Sequence, residues 1–216
     1  AGLTGLQGAH ILTEQASGLV AEVEGAKTTN SANVALATKT SADNQKIYLE
    51  PVDGGGYYAA WVIGSSKVIS VKGSNILPGS NVHQYAYSGK DAQKWAVVKN
   101  DDGCYELVNK GTGLRLSAEG TSEGSNLSGA ATGSEFSLKR VALLKAGIVE
   151  VKPRSATAVS LSIAKASTED GGALVLWNDT NVLNQRFQLV AAGGTDLWRV
   201  RTASSGGYLA VKDGAL

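Results

Sequence analysis

Side chains able to do covalent or metal chemistry are few and scattered in this chain. It has two histidines, His10 and His83, and one cysteine, Cys104. Two histidines are too few for a typical zinc site, and His83 suits a turn or pocket position better than a metal ligand. No histidine stands near a serine that it could activate as a nucleophile. Asp101-Asp102 and Glu169-Asp170 are adjacent carboxylates on turns, whereas a catalytic pair must converge across a cleft. The glycine run at 54–56 lacks the lysine and following helix of a phosphate loop. Cys104, beside Tyr105, is expected to be a small core side chain and has no intrachain disulfide partner. No catalytic group, metal or cofactor is indicated. What remains is a polar–aromatic motif, Gln93-x-Trp95, echoed at Gln185-x-Phe187. In it an amide can tie down backbone groups while a ring fills a core.

Composition says what must position that motif. The 216 residues hold 27 glycines but only 3 prolines and no methionine, and 43% are hydrophobic. Many turns and few long amphipathic runs indicate an all-β chain with enough apolar surface for a core. The 20 basic and 19 acidic side chains nearly cancel, and no Lys/Arg cluster supplies the footprint of a nucleic-acid binder. No apolar run approaches a membrane span, so membrane insertion is not expected. No signal peptide is recognisable. The chain starts at Ala1, which suggests a mature form or an excised fragment. Asn126-Leu127-Ser128 and Asn178-Asp179-Thr180 fit glycosylation sequons.

The motif belongs to a repeat. A short apolar strand recurs as Val20–Val23, Val68–Val71, Arg115–Ala118, Ser160–Ile163 and Tyr208–Val211, with steps of 48, 47, 45 and 48 residues. A turn opening into a strand recurs at Asn33-Val34, Asn81-Val82, Asn126-Leu127 and Ala173-Leu174, with steps of 48, 45 and 47. Closing strands end at Ile47, Trp95, Phe136 and Phe187, with steps of 48, 41 and 51. Another apolar strand precedes each unit, around Ile11, Ala60, Leu107, Val149 and Trp198. Each repeat is therefore predicted to hold four short strands separated by Gly/Ser/Asn/Asp turns. Glu135–Lys145 continues from a closing strand and is expected to be strand and connector, not helix. Short 3₁₀ turns with side-chain caps are expected at Asp43–Gln45 and Asp91–Gln93.

A repeat of about 47 residues closing on Gln-x-Trp resembles the ricin B-type β-trefoil family, most closely in Val68–Trp95 and next in Leu161–Phe187. The resemblance implies an all-β fold, a β-trefoil built from four-stranded repeats, with four full repeats plus half of a fifth. One such unit cannot bury its own apolar face, but three about a pseudo-threefold axis close a barrel and remove its edges. Ile47, Trp95, Phe136 and Phe187 should then point inward. Residues 1–143 would form a complete trefoil of three repeats, and 144–216 an incomplete second unit of one and a half. The alternative frame closes repeats two to four and leaves the first as an overhang. In the preferred frame a neighbouring chain, swapped elements or further sequence should complete the second unit, as a homo-oligomer would.

The family binds sugars in a shallow pocket on each repeat. A carboxylate holds adjacent hydroxyls, an aromatic packs the apolar sugar face, and an Asn-Gln pair fixes orientation. Carried over, the fourth repeat matches at Trp177, Asn184 and Gln185, with Ser162 in place of the carboxylate. The second matches at His83, Tyr85 and Gln93, with Ser70 for the carboxylate and Ala92 for the Asn. The first keeps Glu22, Asn44 and Gln45 but has Ala37 for the aromatic, and the third has Ser117 and Ala130. Losing a charge-assisted acceptor costs about 1.5–3 kcal/mol, most of the binding at a weak sugar site. The resemblance thus implies a non-catalytic, weak glycan-binding module of a secreted or cell-surface protein. The other reading is a structural or protein-interaction array whose sugar sites have decayed.

Overall fold

The computed structural model describes residues 5–54, 56–144, 146–153, 155–192 and 198–210. The chain divides into two compact units, one running up to Val141 and the other from Ala142 onward. Leu197 and Val211, each part of an expected strand, lie outside the described residues.

The first unit is three consecutive four-strand sets. The first set is β1 (Gly8–Glu14), β2 (Val20–Val23), β3 (Val34–Ala37) and β4 (Ile47–Val52). The second is β5 (Tyr57–Val62), β6 (Lys67–Val71), β7 (Ser80–Tyr85) and β8 (Lys94–Lys99). The third is β9 (Tyr105–Asn109), β10 (Arg115–Ala118), β11 (Leu127–Ala130) and β12 (Phe136–Arg140). The outer strands of each set pair antiparallel around a ring, β1–β4, β4–β5, β5–β8, β8–β9, β9–β12 and β12–β1, so the barrel has no free edge. The inner strands form three hairpins, β2–β3, β6–β7 and β10–β11.

The closing residues fill this barrel as expected. Ile47 is 1% exposed and Trp95 and Phe136 are fully buried, packed with Leu12, Leu36, Leu107 and Leu127. Trp95 keeps its polar atom satisfied by donating its indole N–H to the Ile69 carbonyl at 2.9 Å. At the centre of the three hairpins the turn asparagines close on each other. Asn33 Nδ2 donates to Asn126 Oδ1 (2.9 Å), Asn126 Nδ2 to Asn81 Oδ1 (3.0 Å) and Asn81 Nδ2 to Asn33 Oδ1 (2.9 Å). Each four-strand set supplies one member of this ring.

The second unit carries β13 (Gly147–Val149), β14 (Val159–Ile163), β15 (Leu174–Asn178), β16 (Phe187–Ala191) and β17 (Trp198–Thr202). They form a three-stranded sheet, β13–β16–β17, and a hairpin, β14–β15. Phe187 is fully buried here.

Some local details differ from the sequence reading. Residues 136–140 are strand and a connector follows, as expected. The 3₁₀ turns at Asp43–Gln45 and Asp91–Gln93 form, but neither has a side-chain cap. Asp43 and Asp91 instead pair with Lys46 and Lys94, three residues on. Further 3₁₀ turns at Glu24–Ala26 and Lys72–Ser74 rest on left-handed Gly25 and Gly73, a conformation glycine adopts without penalty. Cys104 is half-buried at the mouth of a turn rather than in the core. Its backbone N–H donates to Asp102 Oδ1, so the carboxylate there is a turn cap. Burial raises the Cys104 thiol above its usual range, and neighbouring Asp102 and Glu135 add to the effect. Among the described residues no helix is long and apolar enough to cross a membrane.

Candidate functional site

In the second set, the pairing of β6 with β7 places Ser70 opposite His83, and Val68 opposite Tyr85. The Asp91–Gln93 turn packs under this hairpin. Together they wall a pocket of about 440 Å³ whose lining includes Ser70, His83, Tyr85, Gln93, Lys72 and Lys90. The four residues chosen from sequence in this set are thus brought into one cavity.

Their roles differ. Tyr85 is 42% exposed at the end of β7. His83 is 6% exposed, 5.6 Å from the Tyr85 ring, and its Nδ1 has no hydrogen-bond partner among the described residues. Burial, with the charge of Lys72 adding to it, pulls His83 below the usual histidine range, so the ring is neutral at physiological pH. The Ser70 hydroxyl donates to the Ala92 carbonyl at 3.1 Å, tying the hairpin to the turn beneath. Gln93 is 3% exposed. Its Oε1 accepts from the Ser88 N–H (2.8 Å) and hydroxyl (3.0 Å), and its Nε2 donates to the Ala86 carbonyl (2.7 Å). It is a strut that holds the 86–88 loop behind Tyr85.

The turn is held from below by a ring of charge. Lys94 and Lys110 each bridge Asp53 and Asp91 at 2.8–3.1 Å. Hydrogen bonds from Lys110 and then Lys94 hold both carboxyls below their usual range. Gly111 lets the chain pass close by, since a Cβ there would lie 2.7 Å from the Ala92 nitrogen.

In the second unit, β14 and β15 pair Ser160 with Trp177 and Ser162 with Val175. Asn184 Nδ2 donates to Ser162 Oγ at 2.9 Å and to the Ile163 carbonyl at 3.1 Å. Gln185 is fully buried, and its amide holds Thr180 and Asn178 as Gln93 holds Ser88 and Ala86. Trp177 is 63% exposed near the end of β15. A cavity of about 590 Å³ in this unit is lined by Glu169, Asp170, Thr202 and Tyr208 among others, and by none of Ser162, Trp177, Asn184 or Gln185.

In the first set the one carboxylate at the expected place is occupied. Glu22 Oε2 accepts from Gln45 Nε2 at 2.6 Å, and Asn44 Nδ2 donates to the Val23 carbonyl. Sequence reasoning missed Lys72 and Lys90, which carry no periodic signal, and the asparagine ring, whose signal was the recurrence of Asn at each turn. Among the described residues no three His, Cys, Asp or Glu side chains converge as metal ligands.

Residues 43–130 match the family model for the ricin-type beta-trefoil lectin domain-like family. The designed 3-fold symmetric protein ThreeFoil is 33% identical and superposes with a TM-score of 0.60, over 62% of this chain and 100% of ThreeFoil. A mosquitocidal holotoxin superposes at 0.57 with 15% identity over 93% of this chain, which spans 25% of that toxin. The Macrolepiota procera ricin B-like lectin, solved in complex with lactose, superposes at 0.52 with 13% identity, over 65% of this chain and 100% of that one. No curated protein matches the chain. The closed barrel of three hairpin-capped sets, the family-model match and the full-length likeness to ThreeFoil agree: the chain belongs to the ricin-type β-trefoil lectin family.

Proposed function

We propose that this chain is a non-catalytic, carbohydrate-binding module of a secreted or cell-surface protein, and that the pocket of the second set is its principal sugar site. The observation that carries this reading is the meeting of Ser70, His83, Tyr85 and Gln93 around one cavity of about 440 Å³. Tyr85 packs the apolar face of a sugar ring, and neutral His83 exchanges a hydrogen bond with a hydroxyl. Gln93 and Ser70 hold the walls. Where the family's galactose site offers a carboxylate, this one offers the ammonium groups of Lys72 and Lys90. It therefore favours glycans rich in acceptors over galactose bound in the usual way. Trp177, exposed in the second unit, is a second and weaker platform, with Ser162, Asn184 and Gln185 ordering the turn beside it.

We also infer four repeats and half of a fifth, the first three forming a complete trefoil. The remainder is completed by a partner chain, as a homo-oligomer or by swapped elements.

A glycan array probed with the wild type, Tyr85→Ala and Trp177→Ala tests the function. Binding that Tyr85→Ala abolishes and Trp177→Ala weakens is the expected result. One observation favours a structural or protein-interaction array instead: Glu22, the carboxylate of the first set, is engaged by Gln45 within the fold. Silence across the array together with self-association in solution is the outcome of that reading.

A further inference from the structure

The threefold frame of the first unit gives an internal comparison, because what the fold requires occurs three times. The outer faces of three equivalent barrel seams carry the cross-strand pairs Tyr48 with Trp61, Ala96 with Val108, and Ser137 with Thr13. Two seams present small or aliphatic side chains. The third presents a tyrosine and a tryptophan, with a carboxylate at Glu50 where the other seams have Val98 and Lys139. The Trp61 indole N–H donates to Glu50 Oε2 at 2.7 Å, which fixes the ring's orientation. Tyr87 abuts Trp61 with ring centroids 5.2 Å apart and planes tilted by 53°. Tyr48, Glu50 and Trp61 line a groove of about 300 Å³.

Trp61 lies outside the barrel core, and the barrel closes at its two other seams without such a cluster. We propose that this groove is a second sugar subsite, continuous with the Tyr85 pocket, so that the second set takes an oligosaccharide of two or more rings. The proposal rests on the sugar-binding reading of that pocket. Three features support it. Trp61 and Tyr87 touch, which leaves no gap between them for a cation, and the fixed Trp61 ring suits the C–H face of a sugar. Glu50 has a second carboxylate oxygen to accept from ring hydroxyls. Tyr85 ends β7 and lines the pocket, and Tyr87, no more than about 7 Å of backbone further on, abuts Trp61 of the groove.

The test measures affinity for gluco-, manno-, xylo- and galacto-oligosaccharides of one to four rings. The proteins compared are wild type, Trp61→Ala, Glu50→Gln, Trp61→Phe and Tyr85→Ala, each checked for an unchanged Trp95 indole NMR signal. The expected result is a best-bound series in which four rings bind about tenfold tighter than one. Trp61→Ala should remove that length preference and Glu50→Gln should reduce it, while single-ring binding is unchanged and Trp61→Phe restores much of the gain. Tyr85→Ala should lose binding at every length. Sugar binding with no length preference, or with a preference that survives Trp61→Ala, overturns the subsite and leaves the pocket standing. No binding by wild type to any series overturns both.

Discussion

The asparagine ring makes a prediction that arithmetic alone can refute. Asn33, Asn81 and Asn126 share three side-chain hydrogen bonds of 2.9–3.0 Å, one between each pair. Replacing any one by alanine breaks two of the three. Replacing a second breaks only the one that is left, and the third replacement breaks none. At about 1 kcal/mol per net hydrogen bond, a single variant loses about 2 kcal/mol and a double about 3, and the triple also loses about 3. The pairwise coupling is then about 1 kcal/mol, well outside the additivity expected of unconnected sites. Asn126 also donates to Glu119 at 3.2 Å, so Asn126→Ala should be the costliest single change. The residues are half-buried, so water reaches the orphaned amides and no full desolvation penalty is added. Urea unfolding of the whole chain measures this, followed through the Trp95 indole N–H, whose hydrogen bond to the Ile69 carbonyl exists only when the barrel is closed. Losses that simply add, reaching about 4 kcal/mol in doubles and 6 in the triple, would refute a cyclic ring.

Three further predictions concern the second-set pocket. Gly111→Ala places a Cβ 2.7 Å from the Ala92 nitrogen and 2.9 Å from the Asp91 carbonyl carbon, both backbone. It should cost about 1–3 kcal/mol by overpacking and speed hydrogen exchange at the Ser88 amide that Gln93 holds; an unchanged rate there would count against Gln93 as a strut. Asp53 and Asp91 titrate below their usual 3.8 because Lys110 and Lys94 bond to them, so their contribution is full above that pH and is lost as pH falls through their folded values. Thermal melts should therefore show an acid limb that Lys110→Met flattens, and an unflattened limb would place the acid sensitivity elsewhere. His83 titrates below its usual 6.5, so its contribution is full above that pH and declines as pH falls toward the folded value. An NMR titration of its ring should give a midpoint under 6.5, and a midpoint at or above it would show that the ring is not buried.

The barrel was legible because its requirements repeat. Ile47, Trp95 and Phe136 recur at nearly one period, and each must fill the same space about the axis. The glutamines were legible as backbone ties for the same reason, since Gln45, Gln93 and Gln185 each hold a loop that every complete copy contains. The asparagine ring was legible only in part. Its positions recur at steps of 48 and 45 residues, but nothing along a chain says that three side chains spread over 93 residues meet in a cycle. The capping error at Asp43 and Asp91 has a local cause: an acidic side chain that opens a short turn suits either a cap or a lysine three residues on, and here the ion pairs won. Lys72 and Lys90 were invisible because they enter the pocket from turns, where no period applies.

The third set keeps the frame while tying its loop in a different way. It has no glutamine to hold its 131–133 loop. Instead Arg115 Nη1 donates to the Ala131 carbonyl at 3.1 Å, and the Ala118 N–H donates to Ser134 Oγ at 3.0 Å. Arg115 also pairs with Glu106 at 3.0 Å and packs so closely that a Cβ on Gly133 would lie 2.8 Å from its own. Arg115 stands in the register position held by Val68 in the second set, opposite Ala130 where that set has Tyr85. A single side chain therefore does the work of the glutamine and lies across from the place where the second set has its platform ring. The third set thus lacks both the glutamine and the ring, whereas in the second set Gln93 holds the corresponding loop from behind Tyr85.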